Sequence, residues 1–204
     1  AYYQIRIIKK WIIQKKYIFA EKPITTNFKH LQKITTQIKK SNKKFIVDYI
    51  FQKHEAFKKF KNNLPNTNHK NSKVNINFTT QSFINKNKIN NWKNKSNLGG
   101  GIINLYLPHI LEYLIFFFGN ISKYKLIRKN KNIFINNYFF HNGIFATINI
   151  NSNNPKREHS IVYENKNTRL VLKNISKDYA KGFKLIKLNK LNNTKKIIPY
   201  NNAV

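Results

Sequence analysis

Acidic residues are scarce in this sequence. Its 204 residues include seven Asp and Glu against 39 Lys and Arg, which gives a formal net charge of +32. A compact chain of that charge repels itself unless a partner neutralises it, and nucleic acid is the commonest such partner. Disorder is excluded as an explanation, because 41% of the residues are hydrophobic and 14% are aromatic. The composition therefore predicts a folded protein with a polyanionic partner.

Cysteine and methionine are both absent. Without cysteine, the chain has no disulfide, no thiolate zinc site and no cysteine nucleophile. The seven acids are spread along the chain and form no carboxylate cluster of the kind that Mg²⁺-dependent nucleases need, and the six His are scattered. The run 98–101 (LGGG) lacks the Lys-Ser/Thr of a phosphate-binding loop and predicts a hinge or helix entry. The sequence thus predicts no catalytic residue, no metal, no cofactor and no enzymatic activity.

Residues with AT-rich codons dominate the composition. Lysine occurs 35 times, asparagine 34 times and isoleucine 30 times, whereas arginine occurs four times. This bias is typical of organelle genomes, with AT-rich parasites and endosymbionts as the alternative source. Codon drift alone does not account for the charge, because Asp and Glu also have AT-rich codons and are nevertheless rare. We expect a location in the mitochondrial matrix, with another AT-rich organelle as the alternative.

The hydrophobic spacing predicts an α+β fold. N-terminal helices have apolar stripes backed by lysines, and Asn27 is placed to cap one of them. A long polar connection follows, with one alternating run at 74–78, and a small antiparallel sheet ends the chain. The four predicted parts are a helical basic region (1–61), an Asn/Lys-rich extended segment (62–104), a helix–turn–helix–strand RNA-binding module (105–150) and a basic β-rich C-terminal extension (151–204).

The predicted module starts with an apolar helix over 107–118 that ends at Gly119. Ser122 is placed to cap a short basic helix that ends at Lys129, and the charge density of this helix is costly unless phosphates lie between its side chains. A strand at 133–135 then leads into an asparagine turn whose backbone N–H groups can meet a phosphate. The predicted RNA-binding residues are Lys123, Lys125, Arg128, Lys129, Lys131, Asn136 and Asn137.

This order of elements resembles the S-four RNA-binding domain of small-subunit ribosomal proteins. Leu126-Ile127, Ile133-Phe134-Ile135-Asn136 and Asn142-Gly143 stand where that family has the end of its second helix, its strand and its later glycine. The resemblance implies an rRNA-binding protein near the decoding side of the small subunit. We therefore predict a structural constituent of a mitochondrial small ribosomal subunit that organises rRNA through lysine–phosphate contacts. Its predicted partners are rRNA and neighbouring ribosomal proteins, with no small-molecule substrate and no membrane insertion.

Three alternative functions stay open on sequence grounds. The chain could be another protein of the same ribosome, including its large subunit. An intron maturase or homing endonuclease would instead show Mg²⁺-dependent cleavage of nucleic acid. An organelle-encoded membrane subunit would use the apolar window around 107–118 as a span, but polar or helix-breaking residues interrupt that window. The interrupting residues are Asn104, Pro108, His109 and Glu112.

Overall fold

The chain builds two separate β-sheets, one of two strands and one of eight. The structure is a computed structural model that describes residues 2–14, 16–42, 44–65, 69, 71–81, 86–87, 89–176, 178 and 181–200. The small sheet belongs to the first 47 residues, whereas the first strand of the large sheet begins at Lys73.

Helices and strands alternate in an N-terminal unit, residues 2–47. β1 and β2 are parallel, with Ile18 opposite Phe45, and α2 is the crossover helix that a parallel connection requires. Asn27 caps α2 as the sequence predicts, because its side chain accepts a hydrogen bond from the backbone N–H of His30 at 3.1 Å. The elements are α1 (Tyr2–Ile13), β1 (Ile18–Ala20), α2 (Phe28–Ser41) and β2 (Phe45–Val47).

The two faces of the small sheet differ in burial. One face packs on α1 and α2, where isoleucines at helical spacing form a small core. The other face carries Phe19 and Ile46, which lie side by side in the strand register and are 66% and 53% exposed. The buried residues of the small core are Ile5, Ile8, Ile12, Ile18, Ala20, Ile24 and Ile34.

The large sheet has the strand order β10–β9–β8–β7–β3–β6–β5–β4. The inner strand β3 is parallel to β6 and antiparallel to β7, and the other neighbouring pairs are all antiparallel. The strands are β3 (Lys73–Gln81), β4 (Ile121–Lys129), β5 (Ile133–Phe140), β6 (Phe145–Asn151), β7 (Asn153–Glu164), β8 (Thr168–Asn174), β9 (Lys184–Asn189) and β10 (Thr194–Ile198).

Three helices pack on one face of the large sheet: α3 (Ile50–Lys53), α4 (Glu55–Asn62) and α5 (Gly101–Phe118). Buried side chains alternate along β3, β5 and β6, so every second residue joins the core under these helices. Among the described residues, α5 is the one helix long and apolar enough to cross a membrane. Its inward residues Tyr113 and Leu114 are fully buried against the sheet, so the protein core accounts for its apolar character.

The predicted fold is wrong in its central feature. Residues 122–129 form β4 rather than a basic helix, because β5 provides a neighbouring strand along most of the segment, with two irregularities in the register. Ser122 does not cap a helix, and its hydroxyl donates to the carbonyl oxygen of Phe139 at 2.8 Å. The helix–turn–helix–strand module and the small antiparallel sheet are replaced by one core helix and a mixed sheet of eight strands.

Candidate functional site

Two residues that follow the strands of the N-terminal unit indicate a site where these parallel strands end. Lys22 lies two residues after β1, and Tyr49 lies two residues after β2. Ligands of open α/β sheets bind outside the carboxyl ends of parallel strands, because the connecting loops at that edge leave a crevice. These two residues therefore lie at the edge of the small sheet where a ligand is expected.

Lys22 reaches from the N-terminal unit to helix α5. Its Nζ donates a hydrogen bond to the carbonyl oxygen of Leu105. Burial lowers the pKa of Lys22 from 10.5 to about 8, the nearby charge of Lys93 lowers it further, and Glu21 partly offsets both effects. The amine therefore exchanges a proton close to neutral pH.

His109 lies on α5 one turn after Leu105. The edges of two aromatic rings meet its imidazole, with ring centroids at 6.0 Å for Tyr49 and 5.6 Å for Phe51. Burial lowers the pKa of His109 from 6.5 to about 4, and the charge of Lys22 lowers it further. Its Nδ1 is buried and has no hydrogen-bond partner among the described residues. His109 is therefore neutral at pH 7, and one of its ring nitrogens has an unused hydrogen-bonding capacity.

Glu112 follows His109 by three residues, so the two side chains share one face of α5. Burial raises the pKa of Glu112 from 4.5 to about 7, and the charge of Lys53 partly offsets this rise. Its Oε2 is buried without a hydrogen-bond partner in the described part of the chain. Burial and the neighbouring Glu112 together raise the pKa of Tyr49. The imidazole of His109 is thus the group that the charge of Lys22 reaches, whereas the carboxyl of Glu112 acts on the phenol of Tyr49.

A buried histidine lies beneath this group of side chains. The Nε2 of His159 is 3.2 Å from the hydroxyl of Tyr113 on α5. Burial lowers the pKa of His159 from 6.5 to about 3, and the charges of His109 and Arg157 lower it further. The ring of Phe51 contacts both histidines, with centroids 5.0 Å from His159 and 5.6 Å from His109. This aromatic layer holds the floor of the site rigid.

The glycine run before α5 has a packing role. A Cβ on Gly100 would overlap the carbonyl oxygen of Trp92 and the carbonyl carbon of Lys93. Only glycine permits this close approach of two backbone segments. The approach brings Lys93 near the site, where its charge acts on Lys22. The predicted helix entry is confirmed, because α5 begins at Gly101.

The described residues contain no group of three His, Asp or Glu side chains that could hold a metal ion. Two of the buried polar atoms that lack a hydrogen-bond partner among the described residues, on His109 and Glu112, instead suit hydrogen bonds to an organic ligand.

The RNA-binding residues predicted from the sequence do not form such a site. Lys123, Lys125, Arg128 and Lys129 lie exposed on β4, which is the edge strand of the large sheet. Asn136 is buried on the helix side, whereas the amide oxygen of Asn137 accepts a hydrogen bond from the Thr147 hydroxyl at 3.0 Å. Lys131 lies between β4 and β5. The five cations are therefore exposed at one edge of the large sheet while Asn136 is buried, and the RNA-binding role of the seven residues stays a prediction.

The residues that do come together were missed at the sequence level. Their signal is weak but present, because His109 and Glu112 are two of the few polar residues in an otherwise apolar helix. Lys22 follows a short apolar run and precedes a proline, which indicates a strand end rather than a solvated helix face. The positions of the histidines along the chain do not indicate this site, because the ring partners of His109, Tyr49 and Phe51, come from another part of the sequence.

No family model and no curated protein matches the sequence, but solved structures share its fold. A protein described as an NADPH-dependent oxidoreductase from Desulfitobacterium hafniense has 18% identity and a TM-score of 0.83, over 97% of this chain and 62% of its own. An oxidoreductase from Agrobacterium radiobacter, solved with NAD⁺, L-tartaric acid and magnesium, has 13% identity and a TM-score of 0.72, over 96% of this chain and 57% of its own. The WlbA dehydrogenase from Bordetella pertussis, solved with NADH and UDP-GlcNAcA, has 11% identity and a TM-score of 0.73, over 85% of this chain and 53% of its own. The chain thus spans less than two thirds of the length of these proteins.

These likenesses overturn the ribosomal interpretation. The S-four resemblance and the assignment to a mitochondrial small ribosomal subunit are wrong, because the structures that share this fold are those of NAD(P)-dependent oxidoreductases. The expectations of a non-enzyme, of rRNA and ribosomal-protein partners and of no small-molecule substrate are wrong for the same reason. The alternatives, namely another ribosomal protein, a maturase and a membrane subunit, gain no support. The net charge led to the ribosomal assignment, but a net charge does not show which side chains lie close together in the folded chain. The mitochondrial location stays a prediction.

Proposed function

We propose that this chain provides the proton-transferring and substrate-contacting part of an NAD(P)-dependent oxidoreductase that acts on a hydroxyl or carbonyl group. One observation carries the proposal. Lys22 is a desolvated amine at the carboxyl end of a parallel strand, and it contacts the helix that carries a neutral His109. An amine with a lowered pKa in a partly buried crevice is suited to general acid–base catalysis.

The proposed reaction separates an alcohol into a hydride, a proton and a carbonyl group. Bound NAD(P) supplies the hydride acceptor. Neutral Lys22 accepts the proton of the substrate hydroxyl, and in the reverse direction its ammonium returns that proton to the carbonyl oxygen. With a pKa of about 8, about a tenth of Lys22 is neutral at pH 7. An ordinary lysine would be neutral in fewer than about one molecule in a thousand.

The neighbouring side chains orient the substrate in this proposal. The unpartnered Nδ1 of His109 makes a hydrogen bond to the reacting oxygen, and the neutral imidazole adds no positive charge beside Lys22. Glu112 and Tyr49 offer hydrogen bonds to a second hydroxyl, since one Glu112 oxygen is buried and unpartnered. The Nδ1 of His109 and the Oε2 of Glu112 would otherwise remain desolvated without a hydrogen bond, which favours a polar ligand.

We propose a hydroxy acid or a sugar acid as the substrate class. Two proteins that share this fold were solved with L-tartaric acid and with UDP-GlcNAcA, which are acids that carry hydroxyl groups. In this chain the charges of Lys93, Lys53 and Arg157 act on Lys22, Glu112 and His159 respectively. A carboxylate would be stabilised by these cations.

The residues fit only the reactive end of the cofactor. Among the six glycines of the sequence, none forms the G-x-G-x-x-G turn that holds a dinucleotide pyrophosphate. Lys22 and His109 suit the region where hydride transfer takes place. The pyrophosphate must therefore be held by residues other than a glycine turn of this chain.

The proposal is tested by an NMR titration of the lysines after reductive ¹³C-methylation. We expect one resonance with a midpoint near pH 8, and we expect the Lys22→Met variant to lack it. L-tartrate should raise that midpoint, because an adjacent anion favours the protonated amine. Threitol, an uncharged four-carbon polyol, should raise it less. The proposal fails if Lys22 titrates with the bulk lysines or if saturating L-tartrate leaves its midpoint unchanged.

The matched control is Lys29→Met. Lys29 is exposed on α2, so this variant removes one positive charge away from the site. It should retain both the resonance near pH 8 and its response to L-tartrate. A general effect of net charge would change both variants alike.

A further inference from the structure

The strand β4 forms an edge of the large sheet that the described residues leave open. β5 pairs with one side of β4, and no described strand pairs with the other side. Every residue from Ser122 to Lys129 is exposed. Between two irregularities in the register, residues 123–126 lie opposite residues 136–139 of β5 without interruption. This stretch therefore presents a regular row of unpaired backbone N–H and C=O groups to solvent.

One face of β4 is cationic. Lys123, Lys125 and Arg128 lie opposite the residues of β5 that alternate with its buried ones, so the three cations belong to the face of the sheet away from the helices. The Nζ of Lys123 is 4.8 Å from the centre of the Phe139 ring, which agrees with this placement. The cations thus form a row along one face of the strand.

The other face of β4 is apolar. Tyr124 and Leu126 lie opposite Tyr138 and Asn136, which are buried on the helix side of the sheet. The rings of Tyr124 and Tyr138 are close, with centroids 6.2 Å apart. Tyr124 and Leu126 are nevertheless 70% and 50% exposed, because the sheet ends at their strand. Apolar side chains thus stand in solvent on the face opposite the row of cations.

The positive charge of β4 has no acidic neighbour in its own stretch of the sequence. No Asp or Glu occurs between Glu112 and Glu158. The ion pairs among the described residues involve cations of other elements, namely Lys58, Arg169, Lys173 and Lys190. An anionic partner would therefore meet cations on β4 that no described ion pair engages.

Lysines on an edge strand also have a purely protective role, because they prevent the edges of two sheets from pairing. On β4 they would repel a basic strand, including the β4 of a second copy of this chain. The same cations would attract an acidic strand. Protection alone gives no reason for Tyr124 and Leu126 to be exposed on the opposite face. The combination selects a partner rather than excluding every partner.

We propose that β4 is the docking edge for an acidic polypeptide segment in which acidic and apolar residues alternate. The segment adds a strand beside residues 123–126, with its carboxylates over the row of cations and its apolar side chains over Tyr124 and Leu126. In such strand addition, backbone hydrogen bonds provide affinity and the alternating side chains provide specificity. The docking edge lies on the large sheet, and it does not depend on the proposed chemistry of Lys22.

Nucleic acid suits this edge less well. Its phosphates would pair with the cations, but a phosphate backbone offers no strand to satisfy the open row of N–H and C=O groups. It would also leave Leu126 uncovered on the other face. A peptide strand engages all three features of β4.

The test measures binding of the 204-residue chain to a fluorescein-labelled peptide of alternating valine and glutamate, as long as β4, by fluorescence anisotropy. The comparison peptide has the same composition with its valines and glutamates in separate halves, so it carries equal charge but cannot place all its acids on one face. We expect the alternating peptide to bind at least about tenfold more tightly. We also expect it to slow amide hydrogen exchange at residues 123–126.

Two double variants separate the docking edge from general attraction to a polycation. Lys125→Glu/Arg128→Glu should weaken the alternating peptide at least about tenfold, because two attractive pairs become repulsive. Lys195→Glu/Lys196→Glu is the matched control, since it changes the net charge equally on β10, the opposite edge of the sheet. It should leave the affinity within about twofold of the wild type.

A third variant keeps the test decisive if charge reversal unfolds the chain. Tyr124→Ser/Leu126→Ser retains every cation, and it should weaken the alternating peptide but not the comparison peptide. Thermal unfolding identifies which variants are folded.

Each outcome decides the proposal. Preference for the alternating peptide that is lost with the β4 variants and kept with the β10 variant supports it. Equal binding of the two peptides, equal losses at β4 and β10, or unchanged hydrogen exchange at residues 123–126 overturns it. Binding of polyuridylate that falls with Lys125→Glu/Arg128→Glu alone, without preference for the alternating peptide, would make β4 a nucleic-acid surface and also overturn it. Lys22→Met should bind the peptide like the wild type, so failure of the proposed chemistry leaves this edge unaffected.

Discussion

Removing the amine of Lys22 should change how stability depends on pH. Burial lowers its pKa from 10.5 to about 8 in the folded chain. Each pKa unit corresponds to about 1.4 kcal/mol, so complete burial of the charge would cost about 3 kcal/mol. Because Lys22 is only partly buried, solvent screening reduces this cost to about 2 kcal/mol. The Lys22→Met variant should therefore be more stable than the wild type at pH 7 by about 2 kcal/mol.

The sign of the pH dependence follows from proton binding. Between pH 8 and pH 10.5 the unfolded chain holds a proton on Lys22 that the folded chain has released, so the free energy of unfolding rises with pH. The cost is thus complete below pH 8 and disappears by about pH 10.5. We expect the stability advantage of Lys22→Met to shrink across this interval.

The assay is urea unfolding of the wild type and Lys22→Met at pH 7, 8.5 and 10. Other lysines also lose charge in this range, which relieves self-repulsion in every variant. The difference between the two proteins cancels this common effect, and Lys29→Met measures the gain from removing one exposed charge. The reasoning is refuted if the difference between wild type and Lys22→Met stays constant with pH, or if Lys29→Met reproduces it.

Three further predictions concern the same region. Glu112→Gln should stabilise the chain by about 1 kcal/mol at pH 8 and not at pH 4, because a carboxyl whose pKa is raised from 4.5 to about 7 makes folding less favourable as pH rises from 4.5 to 7. Equal effects on urea unfolding at the two pH values would contradict this. His159→Gln should reduce the loss of stability between pH 6 and pH 4 by about 2 kcal/mol. The folded pKa of His159 is about 3, so in this interval only the unfolded chain gains a proton there. An unchanged dependence of unfolding on acid pH would refute this prediction. Gly100→Ala should cost more than about 2 kcal/mol, because its Cβ overlaps backbone at Trp92 and Lys93. A thermal midpoint equal to the wild type would show that this backbone approach does not exist.

Local patterns predicted some elements of this fold well. Asn27 caps a helix, the stripe over 107–118 lies in a core helix, and Asn142-Gly143 lies in the turn between β5 and β6. These features depend on neighbours within a few residues, which the sequence shows directly. The misassignment of 122–129 has the opposite cause, since the neighbouring strand β5 decides its conformation.

The candidate site could not be assembled from the sequence. Lys22 and Leu105 are 83 residues apart along the chain, yet the lysine donates to that carbonyl. Burial determines the pKa values of Lys22, His109 and Glu112, and burial depends on packing between elements. Composition carries no information on which residues come into contact or which side chains are buried. An excess of lysine therefore suggested a phosphate-binding surface, whereas the chemically distinctive lysine is the desolvated one.

The inner position of β3 has a consequence for the order of assembly. The chain must extend through β6 and β7 before Ile76 acquires its neighbours Ile148 and Ile161. At about 5–20 residues per second, a ribosome needs several seconds to synthesise that intervening stretch. During this time the alternating apolar face of β3 has no strand to pair with. Such long-range pairing slows folding and leaves apolar side chains of β3 exposed in the nascent chain. Residues 73–81 are therefore a segment where aggregation can begin and where chaperones are expected to bind.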